Sequence, residues 1–181
     1  MKTKTILGSL AIGLMTTSFT ALAEPPFGDE ADVAFAKALW GTLQEHGLVG
    51  ENRTMSAPYA GRHPHGAFLD TMDRQEFSVE DATGPVIVKR NYGGEDLSKE
   101  AVWNDPDQYL GAVTVMFKRE GYDPDNHDWF WAKYLPDGSL DTNPEGRPLA
   151  GRVAKGMEQG CIACHATAPG DDMVFAHDRF Q

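Results

Sequence analysis

The stretch YLGAVTVMFK, residues 109–118, is where the reading of the fold begins. Val113, Val115 and Phe117 alternate with Ala112, Thr114 and Met116, the period of two that sends successive side chains to opposite faces of a strand. β-Branched and aromatic residues favour that conformation, and both faces are apolar, so the sheet containing this strand is expected to be covered on each side. Working outward, GPVIVKRNY (84–92) has the same character, GAFLDTMD (66–73) reads as a shorter strand, and DWFWAKY (128–134) runs into the turn residues PDGS (136–139). DLSKEAVWNDPDQ (96–108) reads as a short helical or irregular excursion between strands.

Upstream the period changes. From Asp29 to Leu48, Val33, Phe35, Ala36, Leu39, Trp40 and Leu43 recur at three-to-four spacing, which predicts an amphipathic helix ending near Gly47. Residues 50–65, with Pro58, Gly61 and Pro64, read as loop. The expected fold class is α+β: a mostly antiparallel β-sheet with an N-terminal helix and a short C-terminal segment around Cys161 to His165.

The chain opens MKTKTILGSLAIGLMTTSFTALAEPP, with basic Lys2 and Lys4, an apolar run from Ile6 to Met15 and the small-x-small pattern Ala21-Leu22-Ala23. This is the pattern of a secretory signal peptide, residues 1–23, and its apolar run is too short for a membrane span. The remainder, 24–181, is the size of one globular unit, divided into a helix-and-loop region (24–65) and a main domain (66–181). With 16 Lys and Arg against 27 Asp and Glu the formal charge is −11, and loss of Lys2 and Lys4 makes it more negative by two. Such a surface argues against nucleic acid and anionic membrane as partners. Export places the protein in the periplasm, where a pair of thiols is oxidised, alkylated or metal-bound.

Cys161 and Cys164, the only cysteines, form C-x-x-C-H with His165. A redox dithiol needs a βαβ unit that the segment after Cys164 is too short to complete. A structural zinc site needs a fourth ligand; His177 is the candidate, but a second paired motif is missing. Covalent haem attachment needs two thiols for the vinyl groups and a histidine for the iron, and all three are present. In a helical turn Cys161 and Cys164 share a face with His165 one turn on from Cys161. One covalent haem c is therefore expected, on a short C-terminal haem-binding helix, with His165 as axial ligand. Met173 follows His165 too closely to pass around the ring, so a five-coordinate iron open to small molecules is expected, with Met116 the sixth ligand to consider.

An exported β-rich chain with GPVIVKRNY, YLGAVTVMFK, WFWAKY (129–134), GCIACH (160–165) and DDMVFAHD (171–178) in this order resembles the cytochrome P-460 family, which includes the cytochromes c′-β. The resemblance runs from about Gly66 onward. It implies a mostly antiparallel fold, often dimeric, with one haem c open on its distal side. In P-460 members a strand lysine is bonded to the porphyrin and hydroxylamine is oxidised; the matching residue is Lys89. In c′-β members the cross-link is missing and an apolar pocket binds nitric oxide.

Read from the residues alone, Lys89 can also be a lysine snorkelling off a strand end, with Arg90 and Asn91 favouring solvent. The family's distal carboxylate has no counterpart between Tyr109 and Phe117, and Val113, Val115 and Phe117 are expected to wall the haem pocket. Trp129 and Trp131 are expected to pack in the core, against the ring or against a second subunit. Three functions follow: an oxidoreductase acting on hydroxylamine or nitric oxide with a periplasmic electron-transfer partner, a non-enzymatic nitric-oxide-binding cytochrome, and a simple electron carrier.

Overall fold

In the computed structural model, which describes residues 27–175, the helix α1 spans Glu30–Glu45, within the stretch whose apolar spacing predicts it. The Asp29 carboxylate accepts a hydrogen bond from the Asp32 amide at 2.7 Å, satisfying one of the free N–H groups of the first turn. Phe35, Ala36, Leu39, Trp40 and Leu43 form its buried stripe.

Six strands follow: β1 (Tyr59–Ala60), β2 (Phe68–Val79), β3 (Ala82–Tyr92), β4 (Leu110–Lys118), β5 (Trp129–Tyr134) and β6 (Ala150–Gly151). They form one antiparallel sheet in the order β1-β2-β3-β4-β5-β6, in which each strand pairs with its neighbours in sequence. β2 is longer than GAFLDTMD suggested because it continues through Val79 into a tight connection with β3. The excursion before β4 contains two short helices, α2 (Lys99–Asn104) and α3 (Pro106–Tyr109), capped by Ser98 and Asp105. The last element is α4, Cys161–His165.

The sheet is covered on both faces, as two-sided apolar strands require. On one face Val86 and Val88 of β3, Val113, Val115 and Phe117 of β4, and Phe130 of β5 pack against Phe35, Leu39 and Leu43 of α1. Phe35 contacts Phe130 edge-on at 4.9 Å and Phe117 at 5.8 Å between ring centres. On the other face Met116, Trp129 and Trp131 pack with Phe27, Val153, Ile162 and Met173, which seats α4 and the C-terminal segment against the sheet.

This sorting corrects one expectation. Val113 and Phe117 belong to the core beneath α1 and do not border the cavity described below; Val115 borders it while belonging to that same core. The side chains that β4 presents toward α4 are the other half of the alternation, Ala112, Thr114 and Met116. Arg90 and Asn91 are buried as well, not solvent-facing. Arg90 reaches under the sheet to the Asp70 carboxylate and the Leu48 carbonyl. The tryptophans behave as expected of packing residues: Trp129 and Trp131 are both buried.

Candidate haem site

The short helix α4 begins at Gly160, whose φ of +137° is open to glycine and strained for other residues. A Cβ at Gly160 would lie 2.2 Å from the Ala154 Cβ, so the backbone passes close against the segment before it. The Cys164 amide donates to the Gly160 carbonyl at 3.1 Å and the Ala166 amide to that of Ile162 at 2.8 Å. Ile162 points into the core and anchors the turn, while Cys161 is half-buried and Cys164 exposed. Both are free thiols, and both border one cavity with His165.

His165 is buried, and its Nδ1 lies 2.8 Å from the Met173 carbonyl. A carbonyl only accepts, so Nδ1 carries the hydrogen and Nε2 keeps its lone pair. A metal-binding imidazole is commonly fixed in this way by an outer hydrogen bond. The ring is held edge-on by Trp131 at 4.8 Å and Phe175 at 5.4 Å. Burial, aided by the charge of Lys89 and opposed by the Met173 hydrogen bond, lowers its pKa to about 4, so the imidazole is neutral at pH 7. Burial pushes the Cys161 thiol up to about 11, which keeps it protonated until it reacts.

The cavity has a volume of about 990 Å³. Its floor is the sheet: Ile87, Lys89 and Asn91 from β3, Ala112, Thr114 and Met116 from β4, Trp131 and Lys133 from β5. Cross-strand register explains the grouping, since Lys89 pairs with Thr114 and Thr114 with Lys133 across three neighbouring strands. One wall is α4, another the loop His63 to Gly66, and the rim includes Glu145 and Glu158, both exposed. Lys133 also reaches Asp141 at 2.7 Å.

The residue that sequence reading missed is His65. It borders the cavity opposite α4, with its ring centre 6.0 Å from that of His165. Its Nδ1 lies 3.2 Å from the Asn91 Oδ1 and 3.4 Å from the Thr114 Oγ1. Burial first, then the charge of Lys89, lowers its pKa to about 4. The only signal in the sequence was a histidine between proline and glycine in a loop, with nothing to relate it to a residue a hundred positions later.

A haem fits what is present. The donor set is two thiols and a neutral imidazole that keeps the lone pair on Nε2, beside a mostly apolar cavity of ligand-binding size. The buried Trp131 Nε1 finds no acceptor among the described residues, as expected of a donor facing a bound group with polar substituents. Among the described residues no group of three or more His, Cys, Asp and Glu side chains is arranged to hold a metal ion, so the zinc alternative gains no ligands there; His177 lies outside the described residues, as does the segment 1–23.

No curated protein and no solved structure matches the chain. A family model described as Cytochrome P460 matches residues 50–176, well over half of the chain, and extends upstream of Gly66 to take in the His65 loop. With the C-x-x-C-H helix and its oriented histidine facing the cavity, that match assigns the chain to the cytochrome P460 family of haem proteins.

Proposed function

We propose that this is an exported c-type haem protein that oxidises hydroxylamine, nitric oxide or both, and passes the electrons to a periplasmic acceptor. Cys161 and Cys164 hold one haem through thioethers, and His165 Nε2 ligates its iron. The haem supplies the redox centre; everything else is the work of this chain. Thr114, Asn91 and Lys89 make one side of the cavity polar, while Ile87, Ala112 and Met116 exclude water from the rest. A homodimer is the assembly that the family resemblance favours.

The observation that carries this reading is the position of Lys89. It lies on the cavity face of β3, half-buried, and its charge acts on both His65 and His165. A strand-end lysine reaching for solvent would not do so, whereas an amine that bonds to the porphyrin edge must stand there.

The test is direct. Tryptic mass spectrometry of the holoprotein should find a Lys89 peptide joined through haem to the Cys161–Cys164 peptide. Lys89→Ala should turn a strongly red-shifted reduced spectrum into that of an ordinary haem c. A free Lys89 peptide would overturn the hydroxylamine reading.

One observation favours a second function, nitric oxide binding without turnover. The cavity face of β4 carries Ala112, Thr114 and Met116 and no carboxylate to accept a substrate proton, and the acids on the rim are exposed. Hydroxylamine-dependent reduction of an artificial acceptor separates the two.

A further inference from the structure

His165 and the group that orients it come from two separate segments. The histidine belongs to α4, whereas the acceptor for its Nδ1 is the carbonyl of Met173, eight residues further on. We propose that Lys118, the last residue of β4, is a positioning residue for the haem iron: by holding Asp172 it keeps the Met173 carbonyl on the His165 Nδ1, and so sets how firmly His165 binds the iron. The inference rests on the haem reading above and goes beyond it, because Lys118 does not border the cavity.

Two strands fasten the segment. Lys118 of β4 and Trp129 of β5 are cross-strand neighbours in register, and both reach Asp172. The Lys118 Nζ donates to the Asp172 carboxylate at 2.5 Å, and the Trp129 Nε1 donates to the Asp172 carbonyl at 3.0 Å. The ammonium also stands 5.1 Å from the centre of the Trp129 ring, a cation over an aromatic face that helps to place the lysine. The His127 Nδ1 lies 3.9 Å from the same carboxylate, beyond hydrogen-bonding distance, so Lys118 is the donor that fixes this side chain. Side chain and backbone of one residue are thereby tied to different strands, and the peptide that follows is restrained.

The backbone at Met173 shows the effect of that restraint. Its φ of +57° lies in the left-handed region, which a residue other than glycine keeps only where the surroundings impose it. Its side chain is buried with Trp129, Trp131 and Ile162, and its carbonyl lies 2.8 Å from the His165 Nδ1. An outer hydrogen bond of this kind fixes the ring and raises the basicity of the ligating nitrogen. If the carbonyl drifts away, Nε2 becomes a weaker donor and the imidazole is released more readily.

The size of the effect is bounded by the contact that produces it. Both side chains of the Lys118–Asp172 pair are partly exposed, so the pair adds little to stability. Through linkage its loss can shift the release of His165 by no more than the pair itself is worth, which is about twofold to fivefold.

The probe is nitric oxide, which weakens the bond opposite to it, on ferrous holoprotein made from the full chain with haem-maturation machinery. The ratio of complexes that have lost His165 to those that keep it, read from the Soret band, should rise about twofold to fivefold in Lys118→Met and in Asp172→Asn. The iron–histidine stretch of the ligand-free ferrous protein, read by resonance Raman spectroscopy, should move to lower frequency in both. Lys118→Arg, which restores a donor, should return ratio and stretch toward wild type. The melting temperature of Lys118→Met should stay within about 4 °C of wild type, which separates positioning from a general loosening of the fold. An unchanged ratio and stretch in Lys118→Met, a shift that Lys118→Arg shares in full, or a shift accompanied by a larger fall in melting temperature would overturn the proposal while leaving covalent haem intact. A wild-type chain that carries no haem stain on a denaturing gel would overturn it together with the haem reading.

Discussion

Replacing Asp70 by alanine should lower the melting temperature by about 8–16 °C. Asp70 on β2 faces Arg90 on β3 in register, and both side chains are completely buried. The carboxylate accepts from the Arg90 guanidinium, from the Tyr92 hydroxyl at 2.7 Å and from the Ser56 amide at 3.2 Å. The guanidinium continues to the Leu48 carbonyl at 3.1 Å, while its Nε has no acceptor among the described residues. Removing one partner of a buried pair strands the other charge at a cost of about 3–5 kcal/mol. The orphaned Tyr92 hydroxyl would cost about 1–3 kcal/mol by itself, but groups in one network do not add, so about 4 kcal/mol is expected. At about 2–4 °C per kcal/mol for a chain of this size, that gives the stated range. The consequence reaches the haem, because the strand that Arg90 anchors from below carries Lys89 and Asn91 on its upper face. Circular dichroism melts at pH 7 are the assay. Asp70→Ala combined with Arg90→Met should recover most of the loss, since no charge is then left stranded. A single variant melting within about 2 °C of wild type would refute the reasoning.

Phe117→Ala should cost about 3–5 kcal/mol in denaturant unfolding and leave the haem absorption unchanged, whereas Thr114→Val should shift the haem spectrum with little loss of stability; the opposite pattern would restore the rejected face of β4. Gly160→Ala should sharply reduce covalent haem loading, because its Cβ meets Ala154 and its φ of +137° lies outside the regions that other residues adopt, a result readable from haem-stained gels. In the haem-free Cys161→Ser/Cys164→Ser chain, His65 and His165 titrate near 4 when folded against an ordinary 6.5, so the unfolded chain takes up protons first as pH falls. Their stabilising contribution is fully present above about pH 6.5 and is lost toward pH 4, at up to about 1.4 kcal/mol per pH unit for each imidazole. Urea midpoints from pH 7 to 4.5 should therefore fall less steeply when His65→Gln is added, and equal slopes would contradict the burial assigned to His65.

Much of the architecture is local and could be read in order along the chain. A period of two marks β4, β-branched and aromatic runs mark β3 and β5, and a period near 3.6 marks α1. The meander then follows readily, because each strand pairs with its neighbours in sequence and few alternative pairings arise. The C-x-x-C-H turn was legible for a similar reason: Cys161, Cys164 and His165 lie within one turn, so their spacing alone places them together.

What the tertiary structure decided was every choice between equivalent faces and every contact between distant segments. In β4 both halves of the alternation are apolar, and pleating says only that they part, not which half meets α1 and which the cavity. That choice depends on where α1 and α4 dock. Arg90 looked like a solvent-facing neighbour of Lys89 until Asp70, 20 residues earlier, supplied a buried counter-charge. His65 came to border the cavity beside His165 only because the β1–β2 loop folds over the same sheet face as α4. Periodicity and short motifs report what the chain does within a few residues. A cavity is made by segments far apart in sequence, and its composition is settled only when they pack.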